Sequence, residues 1–357
     1  MKSARIEAFT QRPEDIRIVD VPIPEPGPGQ VRVRMIASPV HPSDFHFVQG
    51  IYYKALQRVI WNHPGVVADG RVYFDPQRRE ECLAPPYALG REGVGIVEAS
   101  GGGLLARRLV GRRVVVGGGP PNGVWQEHVT IAARRVMPVP SNLADEQAAM
   151  YLANPFSACV LVREILKVPR DGWLLVTAAG SALGKSVVRM GRRDGFRTIC
   201  VVRSSANSAE LTKLGADAVI ETGRHDLVDE VARLTGGQGV GYALDCVGGK
   251  LASEVVRCLG LSGRLVLYGT MAESPVELQP RDLMMPMTRI EGFYVGNWIA
   301  RQSPLKLLGV LRTVKRLTAE GLFETDVSET YPLDQVATAV AASLQPGRTG
   351  KVMLRMG

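Results

Sequence analysis

Apolar and polar positions alternate along the first third of the chain. In "VRVRMIA" the apolar residues Val31, Val33 and Met35 are separated by arginines, a period of two that predicts a half-buried strand. The Pro and Gly cluster before it predicts a turn. "GREGVGIVEASGGG" and "GRRVVVGGG" repeat this pattern of short apolar runs and glycines. We therefore predict an antiparallel β domain with long loops over the first 130 or so residues.

From residue 172 the pattern changes to continuous apolar runs that alternate with helical stretches. "WLLVTAA" is apolar throughout, as expected for a parallel strand covered on both faces. Helical patterns separate it from the further runs "TICVV", "DAVI", "YALDCV", "RLVLYG" and "RIEGF". Six strands separated by helices predict a doubly wound parallel sheet in an α/β protein.

The segment from 303 onwards predicts a further helix. Ser303 is a candidate N-cap, Pro304 fits the first turn, and Gly321 is a plausible stop. The apolar stripe consists of Leu308, Leu311, Val314 and Leu317. Because the basic residues lie mostly off this stripe, we expect a surface helix rather than a nucleic-acid reader. "GKVMLRM" predicts a final strand.

Length and composition limit the class of protein. The 357 residues are enough for two domains, and no apolar run approaches the roughly 18 residues needed to span a membrane. "MKSARIEAFT" lacks the apolar core of a secretory signal. We therefore expect a cytoplasmic protein with no membrane partner.

The net charge of +8 raises the question of an anionic partner. Nucleic acid, phosphorylated cofactors and acyl carriers are candidates, although most individual arginines are expected to lie on a solvated surface. The five cysteines are too far apart for a zinc ribbon, and apolar neighbours predict reduced, buried thiols. They are Cys82, Cys159, Cys200, Cys246 and Cys258.

The first predicted parallel strand ends in "TAAGSALGKS", residues 177 to 186. This segment is a degenerate form of the motif G-x-G-x-x-G: it contains Gly180 and Gly184, and alanines occupy other positions. Small residues let a diphosphate approach the backbone, and a helix N-terminus favours its charge. The alternative is a tight turn in another kind of α/β protein.

The second strand ends at Arg203, followed by Ser204 and Ser205. An acidic residue at this place would bind the ribose hydroxyls of NAD. A guanidinium and two hydroxyls suit a 2′-phosphate instead, because arginine pairs with phosphate oxygens. This predicts NADP(H), the alternative being a solvent-facing arginine.

These motifs resemble the medium-chain dehydrogenase/reductase superfamily, particularly its zinc-independent 2-enoyl thioester reductases of the mitochondrial type. The matching stretches are "HPSDFHFVQGIY" (family pattern close to N-P-S-D-I-N-x-I-Q-G-x-Y), "GREGVG", "NPFSA", "CVGGK", "YGTMA" and "GFYVGNW". The resemblance implies a GroES-like β-barrel catalytic domain at 1–150 and 297–357. It also implies a Rossmann NADP-binding domain with a doubly wound parallel sheet at 151–296.

Zinc members of the superfamily carry a histidine in "G-H-E" and a cysteine in the early loop. Here Arg91 replaces that histidine, and "SPVHPSD" contains no cysteine. His41 and His46 lie in this loop, but lone histidines are more often hydrogen-bonded structure than ligands. We therefore predict no catalytic metal.

The resemblance implies further contacts with the cofactor at matching positions. The implied set is Asn154 near the nicotinamide; Gly180, Ser181, Ala182 and Leu183 at the diphosphate; Arg203, Ser204 and Ser205 at the 2′-phosphate; and Tyr268, Gly269, Thr270, Met271, Phe293, Tyr294, Val295, Gly296 and Lys351 around the cofactor.

Tyr52 matches the catalytic tyrosine of the family. Reduction of an enoyl thioester places hydride on the β-carbon, and the resulting enolate needs a proton at the α-carbon. A phenol is protonated at neutral pH and can supply that proton. Tyr53 has no implied role. The alternative for Tyr52 is an aromatic that caps the β domain.

The chain departs from the family directly after Tyr53. An insertion of about residues 54–88 follows, and such insertions usually line or cover an active site. A plain surface hairpin around "ADGRVYF" is the alternative. The insertion leaves the natural alkene open.

We predict an NADPH-dependent oxidoreductase that reduces an activated C=C bond, foremost a 2-enoyl thioester of CoA or acyl carrier protein. The alternative is a quinone or enone reductase of the same superfamily. A non-catalytic nucleic-acid-binding protein is a third hypothesis, which the lack of any RNA motif disfavours. The family resemblance implies a homodimer.

Overall fold

The structure, a computed structural model, describes residues 1–53, 55, 84–272, 274–345 and 347–357. Most of the predicted insertion at about 54–88, with Cys82, lies outside the described residues. The chain divides into two compact units. Unit 1 comprises Met1–Ala153 and Thr325–Gly357, and unit 2 comprises Asn154–Glu324.

The described part of the chain contains helices and strands throughout. The strands are β1 Lys2–Ile6, β2 Arg17–Asp20, β3 Gln30–Pro39, β4 Tyr87–Ala88, β5 Glu92–Ser100, β6 Arg113–Gly117, β7 His128–Ala132, β8 Val136–Pro138, β9 Trp173–Thr177, β10 Arg197–Val202, β11 Ala218–Glu221, β12 Val240–Asp245, β13 Leu259–Leu267, β14 Arg289–Gly292, β15 Val327–Pro332 and β16 Lys351–Arg355. The helices are α1 Pro42–Val48, α2 Leu104–Leu109, α3 Asp145–Ala149, α4 Ala153–Cys159, α5 Ala182–Asp194, α6 Ser208–Leu214, α7 Leu227–Thr235, α8 Gly249–Arg257, α9 Pro280–Met284, α10 Val295–Ala300, α11 Pro304–Ala319 and α12 Val336–Ser343.

Unit 1 is built on a seven-stranded sheet in the order β15-β16-β3-β5-β6-β8, with β7 also paired to β3. Most of its pairs are antiparallel, and only β15 and β16 run parallel. The central strand β3 alternates as predicted, since Val31, Val33 and Met35 are fully buried. These side chains join one core with Trp125 and the strands around it. The predicted antiparallel β domain is confirmed.

Unit 2 is built on a six-stranded parallel sheet in the order β11-β10-β9-β12-β13-β14. The order reverses at β9, so the sheet is doubly wound and all six predicted strands are present. Leu174, Leu175 and Val176 of β9 are fully buried, as a strand covered on both faces requires. The carboxyl ends of these strands lie along one edge of the sheet, where such sheets bind their ligands.

The division of the chain differs from the expected boundaries at 150/151 and 296/297. Residues 297–324, expected in the catalytic domain, belong to unit 2. Helix α11 begins at the predicted cap, where Ser303 Oγ accepts a hydrogen bond from Lys306 N, and its buried side chains are Val310, Val314 and Leu317. Ion pairs tie this region to unit 2: Lys306 with Glu164, and Glu320 with Arg193.

The four cysteines that the structure describes are free and buried, as predicted. Burial raises the pKa of Cys159, Cys200 and Cys258 to about 12 and that of Cys246 to about 11. These thiols are therefore protonated packing residues at neutral pH. Within the described residues, none of the helices is both long and apolar enough to cross a membrane.

Candidate functional site

The loop that carries Tyr52 is fixed at its start by a helix cap. His41 precedes α1, and its backbone N–H donates to Asp44 Oδ2 at 2.8 Å. The helix ends near Gln49, and Gly50 then adopts φ +72°, where a Cβ would lie 2.7 Å from the ring of Phe9. Only glycine fits this turn. It directs the chain into the short helical stretch at 51–53.

Tyr52 lies within a cluster of ring side chains in unit 1. Its hydroxyl lies 3.3 Å from Nδ1 of His46, and the two rings meet edge to face with centroids 5.4 Å apart. Phe47 packs against Tyr52 at 4.9 Å, and the Arg91 guanidinium lies 5.0 Å from the centroid of the Phe47 ring. Tyr52 and His46 are both partly exposed. The phenol is therefore held by a hydrogen bond and is accessible to solvent.

Tyr53 is placed differently. Its ring packs against Phe9 with centroids 5.1 Å apart. This contact helps to anchor the loop to the body of unit 1, and nothing in it involves Tyr52 or His46. The two adjacent tyrosines therefore form a natural pair of test and control positions.

His41 belongs to a buried polar network that the sequence did not reveal. Its Nε2 lies 2.8 Å from Glu92 Oε1, and Glu92 Oε2 accepts hydrogen bonds from the backbone N–H groups of Leu152 and Ala153. Both side chains are buried. Among the described residues, no group of three or more His, Cys, Asp or Glu side chains could hold a metal ion. The network fixes β5 and the segment before α4 relative to α1.

Asp44 and Lys351 lie in the same buried region of unit 1. Burial raises the pKa of Asp44, and its Oδ1 has no hydrogen-bond partner within the described residues. Burial, aided by the charge of Arg348, lowers the pKa of Lys351 to about 8, while the carboxylates of Glu92 and Asp44 oppose that shift. Lys351, predicted to contact the cofactor, thus lies at the start of β16 in unit 1.

In unit 2 the turn between β9 and α5 forms an anion-binding arrangement. Ser181 caps α5 by accepting a hydrogen bond from the N–H of Gly184 at 3.1 Å. The N–H groups of Ala182 and Leu183 have no partner within the described residues. Such groups at the N-terminus of a long helix bind anions. The turn therefore fits a diphosphate.

Gly180 is close to Asn207, which follows the end of β10. A Cβ on Gly180 would lie 2.7 Å from the side-chain amide of Asn207, and Asn207 Oδ1 is buried without a partner within the described residues. Arg203, Ser204 and Ser205 follow β10 at the same edge of the sheet and are exposed. An unsatisfied polar atom beside a cationic, hydroxyl-rich loop fits a phosphorylated ribose.

The segments after β12 and β13 are hydrogen-bonded to each other. The N–H groups of Tyr268 and Met271 donate to the carbonyls of Asp245 and Cys246, and a Cβ on Gly269 would lie 2.7 Å from the Cys246 carbonyl. Burial raises the pKa of Tyr268 well above its ordinary value. The predicted residues Tyr268, Gly269, Thr270 and Met271 therefore line the carboxyl edge of the sheet.

Phe293 and Tyr294 follow β14 at that edge, and Val295 and Gly296 are the first residues of α10. The structure thus gathers the predicted cofactor residues of unit 2 along one edge, with Asn154 in α4. Sequence reasoning overlooked Lys185, which is buried in the first turns of α5 and pairs with Glu210 at 2.5 Å. This ion pair joins α5 to α6.

Comparisons with known proteins agree with this architecture. Residues 27–141 match the alcohol dehydrogenase GroES-like domain, and residues 182–309 match the zinc-binding dehydrogenase family. The chain is 28% identical over 331 residues to the mitochondrial enoyl-[acyl-carrier-protein] reductase of Bos taurus, covering 91% of this chain and 81% of that protein.

Two solved structures are similar over almost the whole chain. A Bacillus thuringiensis protein described as an NADPH:quinone reductase has 29% identity and a TM-score of 0.85, covering 99% of this chain and 98% of that one. The Escherichia coli quinone oxidoreductase complexed with NADPH has 21% identity and a TM-score of 0.83, covering 99% and 100%. These matches confirm the GroES-like domain and the Rossmann-like parallel sheet. The two family models, over residues 27–141 and 182–309, are those of the medium-chain dehydrogenase/reductase superfamily, to which the chain is similar.

Proposed function

We propose that this protein is an NADPH-dependent reductase of an activated C=C bond, foremost a trans-2-enoyl thioester of CoA or of acyl carrier protein. The observation that carries the proposal is the accessible phenol of Tyr52, hydrogen-bonded to His46 in a loop that matches the family's catalytic segment. A proton donor of this kind is what an enolate requires after reduction at the β-carbon.

The residues of unit 2 would hold the dinucleotide. The diphosphate would bind at the turn formed by Gly180, Ser181, Ala182 and Leu183. The 2′-phosphate would bind to Arg203 and the two serines that follow it. NADPH, when bound, supplies hydride for the β-carbon of the alkene. Asn207, whose buried Oδ1 lacks a partner within the described residues, is a further group for the ribose.

Tyr52 would donate its hydroxyl proton to the α-carbon. Its partial exposure leaves it accessible to a substrate, and its hydrogen bond to His46 restricts the direction of the hydroxyl. Tyr268 is a poorer donor, because burial raises its pKa well above the ordinary value and so strengthens its hold on the proton. A partly exposed phenol suits the task better than a buried one.

The relatives support this proposal and one alternative. The Bos taurus relative is named an enoyl-[acyl-carrier-protein] reductase, which favours the thioester. The Bacillus thuringiensis protein, at a similar identity, is described as an NADPH:quinone reductase, which favours a quinone or enone substrate. The alternative does not require a proton from Tyr52, so the two functions differ in their dependence on that hydroxyl.

We also propose a homodimer, as the family resemblance implies. Size-exclusion chromatography with light scattering tests it, since a monomer has a mass of 38.6 kDa. Cytoplasmic location stays a prediction, and the names of several relatives include the word mitochondrial.

The test compares Tyr52→Phe with Tyr53→Phe. With crotonyl-CoA, NADPH oxidation should fall about 10²- to 10⁴-fold in Tyr52→Phe, because the proton donor is lost, and stay near the wild-type rate in Tyr53→Phe. NADPH affinity, measured by fluorescence titration, should not change in either variant. Equal activity of Tyr52→Phe and wild type on crotonyl-CoA would refute the assignment. Faster turnover of a simple quinone than of crotonyl-CoA would favour the alternative.

A further inference from the structure

The hydrogen bond between His46 and Tyr52 joins two side chains six residues apart. His46 is near the C-terminus of α1, and Tyr52 lies beyond the Gly50 turn. The left-handed conformation of Gly50 reverses the chain, so that Nδ1 of His46 lies 3.3 Å from the phenol oxygen. The rings meet edge to face, which restricts both orientations. The contact is therefore built into the backbone path of the loop.

His46 is a departure of this chain from the family pattern. In "HPSDFHFVQGIY" it occupies the position at which N-P-S-D-I-N-x-I-Q-G-x-Y has its second asparagine. An asparagine amide can hydrogen-bond a phenol but cannot exchange a proton at neutral pH. Imidazole can do both, since it gains and loses protons in the physiological range. The substitution therefore adds a proton carrier beside the proposed acid.

The proposed reaction leaves Tyr52 one proton short after each turnover. When the hydroxyl proton moves to the α-carbon, a C–H bond forms, the O–H bond breaks, and its electron pair stays on the phenolate oxygen. The phenolate must regain a proton before the next substrate can react. His46 is in hydrogen-bond contact with this oxygen and is also partly exposed to water.

Resting on the proposed function, we infer that His46 is a positioning residue that directs the Tyr52 hydroxyl and returns a proton to it. The Nδ1–H bond of protonated His46 breaks as the O–H bond of Tyr52 re-forms, and water then reprotonates the imidazole. The net change is one proton taken from solvent per alkene reduced. The step needs no oxidant or reductant.

The test separates the first turnover from later ones by rapid mixing, following NADPH oxidation with crotonyl-CoA. His46→Asn keeps a hydrogen-bond donor but no proton carrier. Its first turnover should match wild type, so kcat/KM should not change. Steady-state kcat and KM should both fall about 10- to 100-fold, because reprotonation of Tyr52 becomes rate-limiting, and a burst appears. Added imidazole should restore the steady-state rate. His128→Asn, which removes a histidine paired with Glu98 at 3.2 Å, should show no burst.

A parallel fall of the first turnover and the steady-state rate in His46→Asn, with no effect of imidazole, would overturn the inference. A readout that needs neither cofactor nor substrate is the ¹⁵N NMR signal of His46 Nδ1. It should shift in Tyr52→Phe and stay constant in Tyr53→Phe. No shift in Tyr52→Phe means that the contact does not exist in solution, and the inference falls. If the wild-type protein reduces no alkene, the proposed function falls, and the NMR result alone decides whether His46 and Tyr52 are coupled.

Discussion

The turn at residues 178–186 in unit 2 and the loop at residues 41–52 in unit 1 hold their functional groups in opposite ways. The turn offers backbone N–H groups, and the side chains at 178–182 are small, so that a ligand can approach. The loop offers side chains, and each one is placed by another: Tyr52 by His46 and Phe47, His41 by Glu92. The backbone turn is a property of the fold, whereas the side-chain loop depends on the identity of particular residues.

This difference explains why the two regions carry different information. Many sequences can form a backbone turn of this kind, so it indicates a dinucleotide and says little about the substrate. The side-chain loop departs from the family pattern at two histidines, His41 and His46. Specificity and proton handling are therefore expected to depend on unit 1, and cofactor affinity on unit 2. Each prediction below acts on one side of this comparison.

The largest effect is expected from adding one methyl group to the backbone turn. In Gly184→Ala the new Cβ would lie 2.4 Å from the carbonyl oxygen of Ala179, so the turn must shift. NADPH affinity should fall by more than about 100-fold, and the free energy of unfolding by about 1–3 kcal/mol. Fluorescence titration and urea denaturation measure the two quantities.

The matched control is Gly309→Ala, a second helical glycine of unit 2. Its Cβ would have no atom within 4 Å, and the residue is exposed. This variant should gain about 0.5–1 kcal/mol of stability because alanine favours helix, and NADPH affinity should not change. Unchanged affinity in Gly184→Ala as well would mean that the turn does not bind the dinucleotide.

The next effect concerns the buried side chains of unit 1. Lys351 has a pKa of 10.5 in the unfolded chain and about 8 in the folded protein. Between these values the unfolded state binds more protons than the folded state. The lysine contribution to stability therefore rises with pH across this window, by about 3 kcal/mol in total. Below about pH 8 both states are protonated, and the contribution is constant.

Urea denaturation of wild type and of Lys351→Met at pH 7.5 and pH 10 tests this sign. As the pH rises, the free energy of unfolding of wild type should increase relative to that of Lys351→Met. Comparing the variants is essential, because the buried cysteines, with raised pKa values, lose their contribution over the same range. These thiols are common to both proteins and cancel. A pH-independent difference would mean that Lys351 is solvated in the folded state.

The fold could be predicted because its signals are local. Each strand of unit 2 is a short apolar run, and both faces of the sheet are covered, so the run itself marks the strand. The boundary at 296/297 could not be placed in this way. The predicted stripe of Leu308, Leu311, Val314 and Leu317 indicates that α11 buries one face but not which unit receives it. The stripe itself is only partly right, because Leu308 is exposed and the buried residues are Val310, Val314 and Leu317.

The candidate site could be predicted only in part, because local signals place some of its residues but not the contacts between residues distant in sequence. Gly180 and Arg203 follow predicted strands, so their place at the edge of the sheet follows from topology. The bond from His41 to Glu92 spans 51 residues, and the bonds from Glu92 to the backbone at the start of α4 span 60 and 61. No periodicity encodes such pairs. The sequence could indicate that His41 is hydrogen-bonded, but the structure was needed to identify its partner.

The smallest effect is expected at Arg203, where a single exposed side chain supplements the backbone turn. Replacing it with glutamate removes a cation suited to a 2′-phosphate and adds a charge that repels it. The ratio of NADPH to NADH affinity should fall about 10- to 100-fold, which corresponds to about 1.4–2.7 kcal/mol. NADH affinity itself should change little, because the diphosphate still binds to the turn at Gly180–Leu183.

Arg257→Glu is the control for charge, since it reverses an exposed arginine on α8 of the same unit. It should leave the affinity ratio within about twofold of wild type, because a solvated charge away from the ligand is screened by salt. Equal losses in the two variants would mean that the positive charge of unit 2 attracts NADPH in general. A loss confined to Arg203→Glu would show that one side chain contacts the cofactor specifically, in a site otherwise built from backbone groups. Both regions would then use side chains, and they would differ only in how many they use.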